Sequence, residues 1–135
     1  MTERVLVDAS AGIEIAGDTK TGRILRRLIP DGAQLFAPEH FYAECGAVLR
    51  KWSNGQILTD TQLEMSIERL LRLPLRRVQL RELFRPAWEK RHNITFADAL
   101  YFALAEQLDP SLLTGDRKLA ASPTMTVPVL YLSAT

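Results

Sequence analysis

The sequence predicts an α/β domain with a mainly parallel sheet. Short apolar runs of strand length (RVLV at 4–7, QLFA at 34–37, LL at 112–113) alternate with helix-length amphipathic stretches. Two of the runs end at an acid, Asp8 directly and Asp116 through Thr114-Gly115. In open α/β sheets, ligands bind beyond the carboxyl ends of the strands near a topological switch point.

In chain order, RVLV reads as a buried strand ending at Asp8, with Ser10 available to cap the helix that follows. Thr19 to Ile29 reads as an amphipathic helix stopped by Pro30-Asp31-Gly32. Gln34–Ala37 is a second strand. Pro38 suits the first turn of a helix continuing to about Ser53, which Asn54-Gly55 ends. Thr59–Leu73 is a helix with Asp60 or Thr61 near its start, and Pro74 stops it. Arg76–Leu80 reads as a strand and Arg81 to Arg91 as a helix. Thr95 caps a strong helix over Phe96–Gln107, broken at Asp109-Pro110 before the strand Leu112-Leu113. Lys118–Ala121 is a short helix. Val127–Leu132 is a last strand, placed near an edge by Pro128.

The 135 residues form one domain, 1–135, without repeats or linkers, and are enough to bury a sizeable core. The single cysteine, Cys45, excludes an intramolecular disulfide, and no Cys/His cluster suggests zinc. No apolar run is long enough to span a bilayer. The N-terminal MTERVLVDAS lacks the apolar core of a signal peptide, so a cytoplasmic protein with no membrane association is expected. The net charge of +1 hides an asymmetry: residues 69–91 hold eight Lys/Arg against two acids, Glu82 and Glu89. Either a solvated helical face or a polyanion-binding surface accounts for it.

Most of the 16 Asp/Glu are ordinary surface charges; Glu64, Glu68 and Arg72 follow one helical stripe. Glu44 is different. Phe41, Ala47 and Val48 stand three and four residues from it, which places it on an apolar helical face. Asp98 shares its face with Tyr101, Phe102 and Ala105. Burying an unpaired carboxylate is costly, so such acids are protonated, paired, capping or metal-bound. Taken singly, Asp8, Asp98 and Asp116 fit capping or turn roles, and Glu44 fits a buried ion pair. Taken together, the four can converge at one end of the sheet, where their repulsion calls for a cation. Mg²⁺ or Mn²⁺ suits an all-oxygen set, and His40 and His92 read as surface or packing residues.

At these residues the chain resembles a PIN domain, and within that superfamily a VapC-type toxin ribonuclease. VLVDAS (5–10), APEHFYAECGAVL (37–49), ITFADALYFALAE (94–106) and LLTGDRKLA (112–120) carry the resemblance in order over nearly the whole chain. It implies a three-layer sandwich with about five strands in the order 3-2-1-4-5. It also implies an acidic cluster of Asp8, Glu44, Asp98 and Asp116, supported by Thr114 and Ser10. One or two Mg²⁺ or Mn²⁺ ions would sit there, with Glu44 acting directly or through a metal-bound water, and support hydrolysis of RNA phosphodiester bonds. Arg117 and Lys118 are candidate RNA contacts. The resemblance further implies a cognate antitoxin and homodimerisation.

Rival readings are a non-catalytic PIN-like module that binds RNA or protein, and a PIN nuclease outside toxin–antitoxin systems. An aspartyl-phosphate phosphatase would want an acid two residues after Asp8, where Ser10 stands. A phosphoreceiver domain would need a phosphoacceptor Asp at the end of a central strand, and none is evident. A purely structural domain leaves Glu44 unexplained.

Overall fold

The computed structural model describes residues 3–116, 121 and 129–131. Five strands, β1 (Arg4–Val7), β2 (Gln34–Pro38), β3 (Leu75–Val78), β4 (Ser111–Thr114) and β5 (Val129–Tyr131), form one sheet. Its order is β3-β2-β1-β4-β5, with every pairing parallel. The expected order and strand number are both found. The chain moves outward from β1 through β2 to β3, then returns to β4 on the other side of β1. The switch point therefore lies between the carboxyl ends of β1 and β4.

Six helices cover the sheet: α1 (Ala9–Ala16), α2 (Lys20–Arg27), α3 (Phe41–Asn54), α4 (Asp60–Arg72), α5 (Leu80–Trp88) and α6 (Phe96–Leu108). Strand alternation divides the core into two layers. Val5, Val7, Leu35, Ala37 and Leu113 face α1 to α4, where they meet Ile13, Leu25, Phe41 and Leu49. Leu6, Phe36 and Leu112 face α5 and α6, against Leu83, Leu100 and Leu104. Sheets buried on both faces read as continuous apolar runs, which is why these strands are recognisable in sequence. Each fully buried Leu or Phe contributes roughly 1.5–3 kcal/mol over an exposed one.

Threonines open three of the helices. Thr19 accepts the Gly22 N–H, Thr95 accepts the Asp98 N–H, and Thr59 forms a reciprocal capping box with Gln62. Three boundaries differ from the sequence-based expectation. Asp8, not Ser10, caps α1. Pro38 does not begin α3 but ends β2, in register with Val78, and Glu39 donates the ladder bond to the Val78 carbonyl. The third strand starts one residue early and yields to α5 at Leu80, with Pro86 inside that helix. The end of α3 at Asn54, with Gly55 as its cap, is as expected; Gly55 keeps a negative φ of −85°, and Gln56 takes the left-handed conformation at 53°. The predicted helix 118–121 falls mainly outside the described residues. The described part of the last strand is at the sheet edge, as expected.

Candidate active site

Asp8 occupies the step from β1 into α1, beside the switch point. Its carboxylate is buried and has three donors: Ser10 Oγ at 2.7 Å and the Ala11 N–H at 3.0 Å on Oδ1, and Thr114 Oγ1 on Oδ2. Burial raises its pKa from 3.8 to about 6. The bonds from Thr114, Ala11 and Ser10 oppose that shift, and the charge of Asp116 adds to it.

The two hydroxyls relay order from β4 to Asp8. Thr114 Oγ1 accepts the Asp116 N–H at 2.9 Å, and Ser10 Oγ accepts the Gly115 N–H at 2.9 Å. Each hydroxyl thus accepts from the backbone of the β4 exit and gives its one proton to Asp8. The turn carrying Asp116 is fixed relative to the first acid by side-chain bonds as well as by the sheet.

Glu44 and Asp98 complete the group. They line, with Asp8, Ser10, Tyr101 and Asp116, one cavity of about 300 Å³. The structure therefore brings together the acids singled out in the sequence, from four separate segments. Their carboxylates line its walls without gathering on one point. Among the described residues, no three His, Cys, Asp or Glu form a ready-made ligand set.

The surroundings of Glu44 correct the sequence reading. It is not buried on a core face: its side chain is 36% exposed, and Ala47 one turn away is exposed too. Its partner is not a buried Arg or Lys but the Tyr101 hydroxyl, which donates to Oε1 at 2.8 Å. His40 Nε2 lies 3.5 Å from the same oxygen and 3.0 Å from the Ala97 carbonyl. Both neighbours are acceptors, so Nε2 carries the proton. The imidazole also packs on the Tyr101 ring, with centroids 4.9 Å apart. His40 is a packing residue beside the site; His92 is exposed. Burial, then the Glu44 charge, push the Tyr101 hydroxyl far above its ordinary pKa, so it remains a donor.

Asp98 does not cap α6; Thr95 does, by accepting the Asp98 N–H at 3.2 Å. Its carboxylate is thereby left at the helix N-terminus, partly buried, on the cavity wall. Asp116 is exposed at the rim. Cys45 is a buried thiol facing the Ala9 carbonyl, with its pKa pushed to about 12 mainly by burial, so it offers no thiolate. Among the described residues, the polar side chains that line the cavity present oxygen atoms only, which suits a hard divalent cation. Arg117 and Lys118 lie outside the described residues.

Sequence reasoning missed the roles of Tyr101 and His40. Tyr101 stood in view as a neighbour of Asp98, but its bond to Glu44 spans two helices and has no sequence signature. The basic stretch 69–91 is not one solvated helical face either. Arg69 Nε donates to the Ala16 carbonyl at 2.6 Å, Arg76 lies over the Phe36 ring, and Arg91 lies over Trp88.

Comparison with known proteins bears on the family and the fold. The family model for the PIN domain matches residues 5–123. Ribonuclease VapC1 of Mycobacterium tuberculosis is 37% identical over 90% of this chain and 92% of its own length. Ribonuclease VapC3 of the same organism is 34% identical over 87% and 86%. Among solved structures, M. tuberculosis VapC20, described as a Sarcin-Ricin loop cleaving toxin, superposes with a TM-score of 0.66 at 17% identity, covering 88% of this chain and 95% of its own. That likeness concerns the fold. The chain belongs to the PIN domain family, and within it to the VapC ribonucleases.

Proposed function

We propose that the chain is a Mg²⁺- or Mn²⁺-dependent endoribonuclease acting as the toxin of a toxin–antitoxin pair. One observation carries the reading: Asp8, Glu44, Asp98 and Asp116, from four separate segments, line one cavity at the switch point of a parallel sheet. The relatives named as ribonucleases support the reaction class.

Asp8, Asp98 and Asp116 would hold one or two ions, and Asp8 is already oriented by its three donors. The ions would supply Lewis acidity that ionises water and offsets charge building on the phosphate. Glu44 keeps Oε1 on Tyr101, and its Oε2 would hold a metal-bound water or take a proton from the attacking water. That water oxygen bonds to phosphorus as the phosphorus–oxygen bond of the RNA breaks, and the leaving oxygen takes up a proton. An acidic cavity repels phosphate, so nearby cations must draw the strand in; Arg117 and Lys118 follow the last acid directly in sequence. The proposed partners are RNA, a cognate antitoxin whose chain covers the acids, and a second copy in a homodimer. Among the described residues no helix is long and apolar enough to cross a membrane.

The test is cleavage of RNA by purified protein with Mg²⁺ or Mn²⁺, against EDTA and against Asp8→Ala and Asp116→Ala. Cleavage should fall by at least about a hundredfold in each control, the scale expected when metal-assisted charge stabilisation is lost. Full cleavage by the variants would overturn the site. A short neighbouring reading frame encoding a DNA-binding antitoxin is the observation that tests the toxin assignment.

A further inference from the structure

Helix α5 carries two stripes. Leu83 and Ala87 are fully buried against the core. On the opposite side, Arg81, Phe84, Arg85 and Trp88 recur at the spacing i, i+3, i+4, i+7 that lines up one helical face, and all four are exposed. Phe84 and Trp88 are each 52% exposed although the core stripe already anchors the helix. Phe96, which opens α6, packs on both rings, at centroid distances of 4.8 Å and 6.5 Å. Arg91 lies over the Trp88 ring at 4.9 Å. The result is a surface row of aromatic rings flanked by three guanidinium groups. It adjoins the candidate active site in sequence, because Asp98 stands two residues beyond Phe96 in the same first turn of α6.

We propose that this face is a stacking platform for the single-stranded RNA substrate. Aromatic faces accept bases of any sequence, and adjacent arginines offset the phosphates between them. Charge complementarity favours a polyanion here: Arg81, Arg85 and Arg91 flank the rings, against Glu82 and Glu89 in the same stretch. A strand lying along α5 would pass the N-terminus of α6 to reach the acids. The proposal rests on the ribonuclease reading for the identity of the strand, but its binding step does not require cleavage.

The experiment reads binding without hydrolysis, in EDTA. In a Trp52→Phe background, a single-stranded oligouridylate should quench the emission of Trp88, and a duplex of equal length should quench it far less. Trp88→Ala and Phe84→Ala should each weaken the affinity for labelled oligouridylate about tenfold. Trp88→Tyr, which keeps an aromatic face, should restore most of the affinity. With Mg²⁺ present, Trp88→Ala should raise KM on a long RNA. Unchanged affinity in Trp88→Ala overturns the platform. So does a fall in oligomeric mass by sedimentation with RNA affinity intact, which would assign the face to a second copy. Quenching by RNA in a wild type that never cleaves would support the platform and sink the nuclease reading. Cleavage with no quenching would do the reverse.

Discussion

Tyr101 donates its hydroxyl proton to Glu44 Oε1 at 2.8 Å and so ties α6 to α3 across the mouth of the acid cavity. His40 Nε2 lies 3.5 Å from the same oxygen, so in the proposed reaction the proton of the attacking water goes to the second carboxylate oxygen. Tyr101→Phe keeps the ring and removes only this bond. A hydrogen bond to a charged group is worth about 1.5–3 kcal/mol, and the partial exposure of Glu44 brings this one nearer 1 kcal/mol. Stability should therefore change little, while kcat for RNA cleavage falls about tenfold with KM nearly constant. Because the hydroxyl keeps its proton throughout the accessible range, the loss should be the same at pH 6 and pH 9. A loss confined to KM would show that Tyr101 serves binding and not the positioning of Glu44.

Thr114 is fully buried and is the only hydroxyl among the described residues that both donates to Asp8 and accepts from Asp116. Thr114→Val preserves the shape but removes one of the three donors to the buried Asp8 carboxylate and the hydroxyl that accepts the Asp116 N–H. The expected cost is about 1–3 kcal/mol in urea denaturation, with cleavage much reduced. Thr114→Ser keeps the relay and gives up one methyl group, about 1 kcal/mol of burial, so its cleavage should stay near wild type. Equal activity in the two variants would remove the relay from the site.

What the sequence reveals follows from how each feature is built. The strands show themselves because both faces of the sheet are covered, and Thr19 and Thr95 mark helix starts because capping is local chemistry. Pro38 misleads because its ring suits a first helical turn as well as a strand end; the choice lies with Val78, forty residues away. Helical spacing places Glu44 on the stripe of Phe41 and Val48 but says nothing of depth: Phe41 lies in the core, whereas Glu44 and Val48 line the cavity. The bonds of Tyr101 to Glu44 and of His40 to the Ala97 carbonyl arise only when α3 and α6, helices on opposite faces of the sheet, approach each other at its end. The acids themselves were legible because a carboxylate at a strand end or on an apolar stripe contradicts local preference.

Burial raises Asp8 to about 6 from 3.8, which makes stability depend on pH. The folded protein holds this proton more tightly than the unfolded chain. Its contribution is complete below the unfolded value of 3.8 and is lost as pH rises through about 6. In EDTA, the contribution of this group should fall by roughly 2–2.5 kcal/mol between pH 4 and pH 7 and then level off. Asp8→Asn should lack that slope and unfold at higher urea than wild type at pH 7. A bound divalent cation stabilises the ionised carboxylate, so Mg²⁺ should flatten the slope in wild type and leave Asp8→Asn unaffected. An identical urea profile for the two proteins from pH 4 to pH 7 would refute the assignment.

Two glycines in helices should respond to alanine with opposite signs. A methyl group on Gly22 of α2 would stand 1.9 Å from the Glu14 carbonyl oxygen and 2.7 Å from the Ile15 nitrogen, both backbone atoms of α1. Neither can rotate away, so α1 and α2 must separate. Overpacking of this kind costs about 1–3 kcal/mol, and helix propensity returns at most about 1 kcal/mol. Gly46 of α3 is exposed, with nothing within 4 Å of the added carbon, so Gly46→Ala should stabilise by about 0.5–1 kcal/mol. Because Asp8 caps α1, displacement of that helix also disturbs the first acid, and Gly22→Ala should lose cleavage as well as stability. Urea midpoints for the two variants, measured beside wild type, decide the matter: a shift of the same sign in both would mean that the close approach of α1 and α2 is not what requires glycine at position 22.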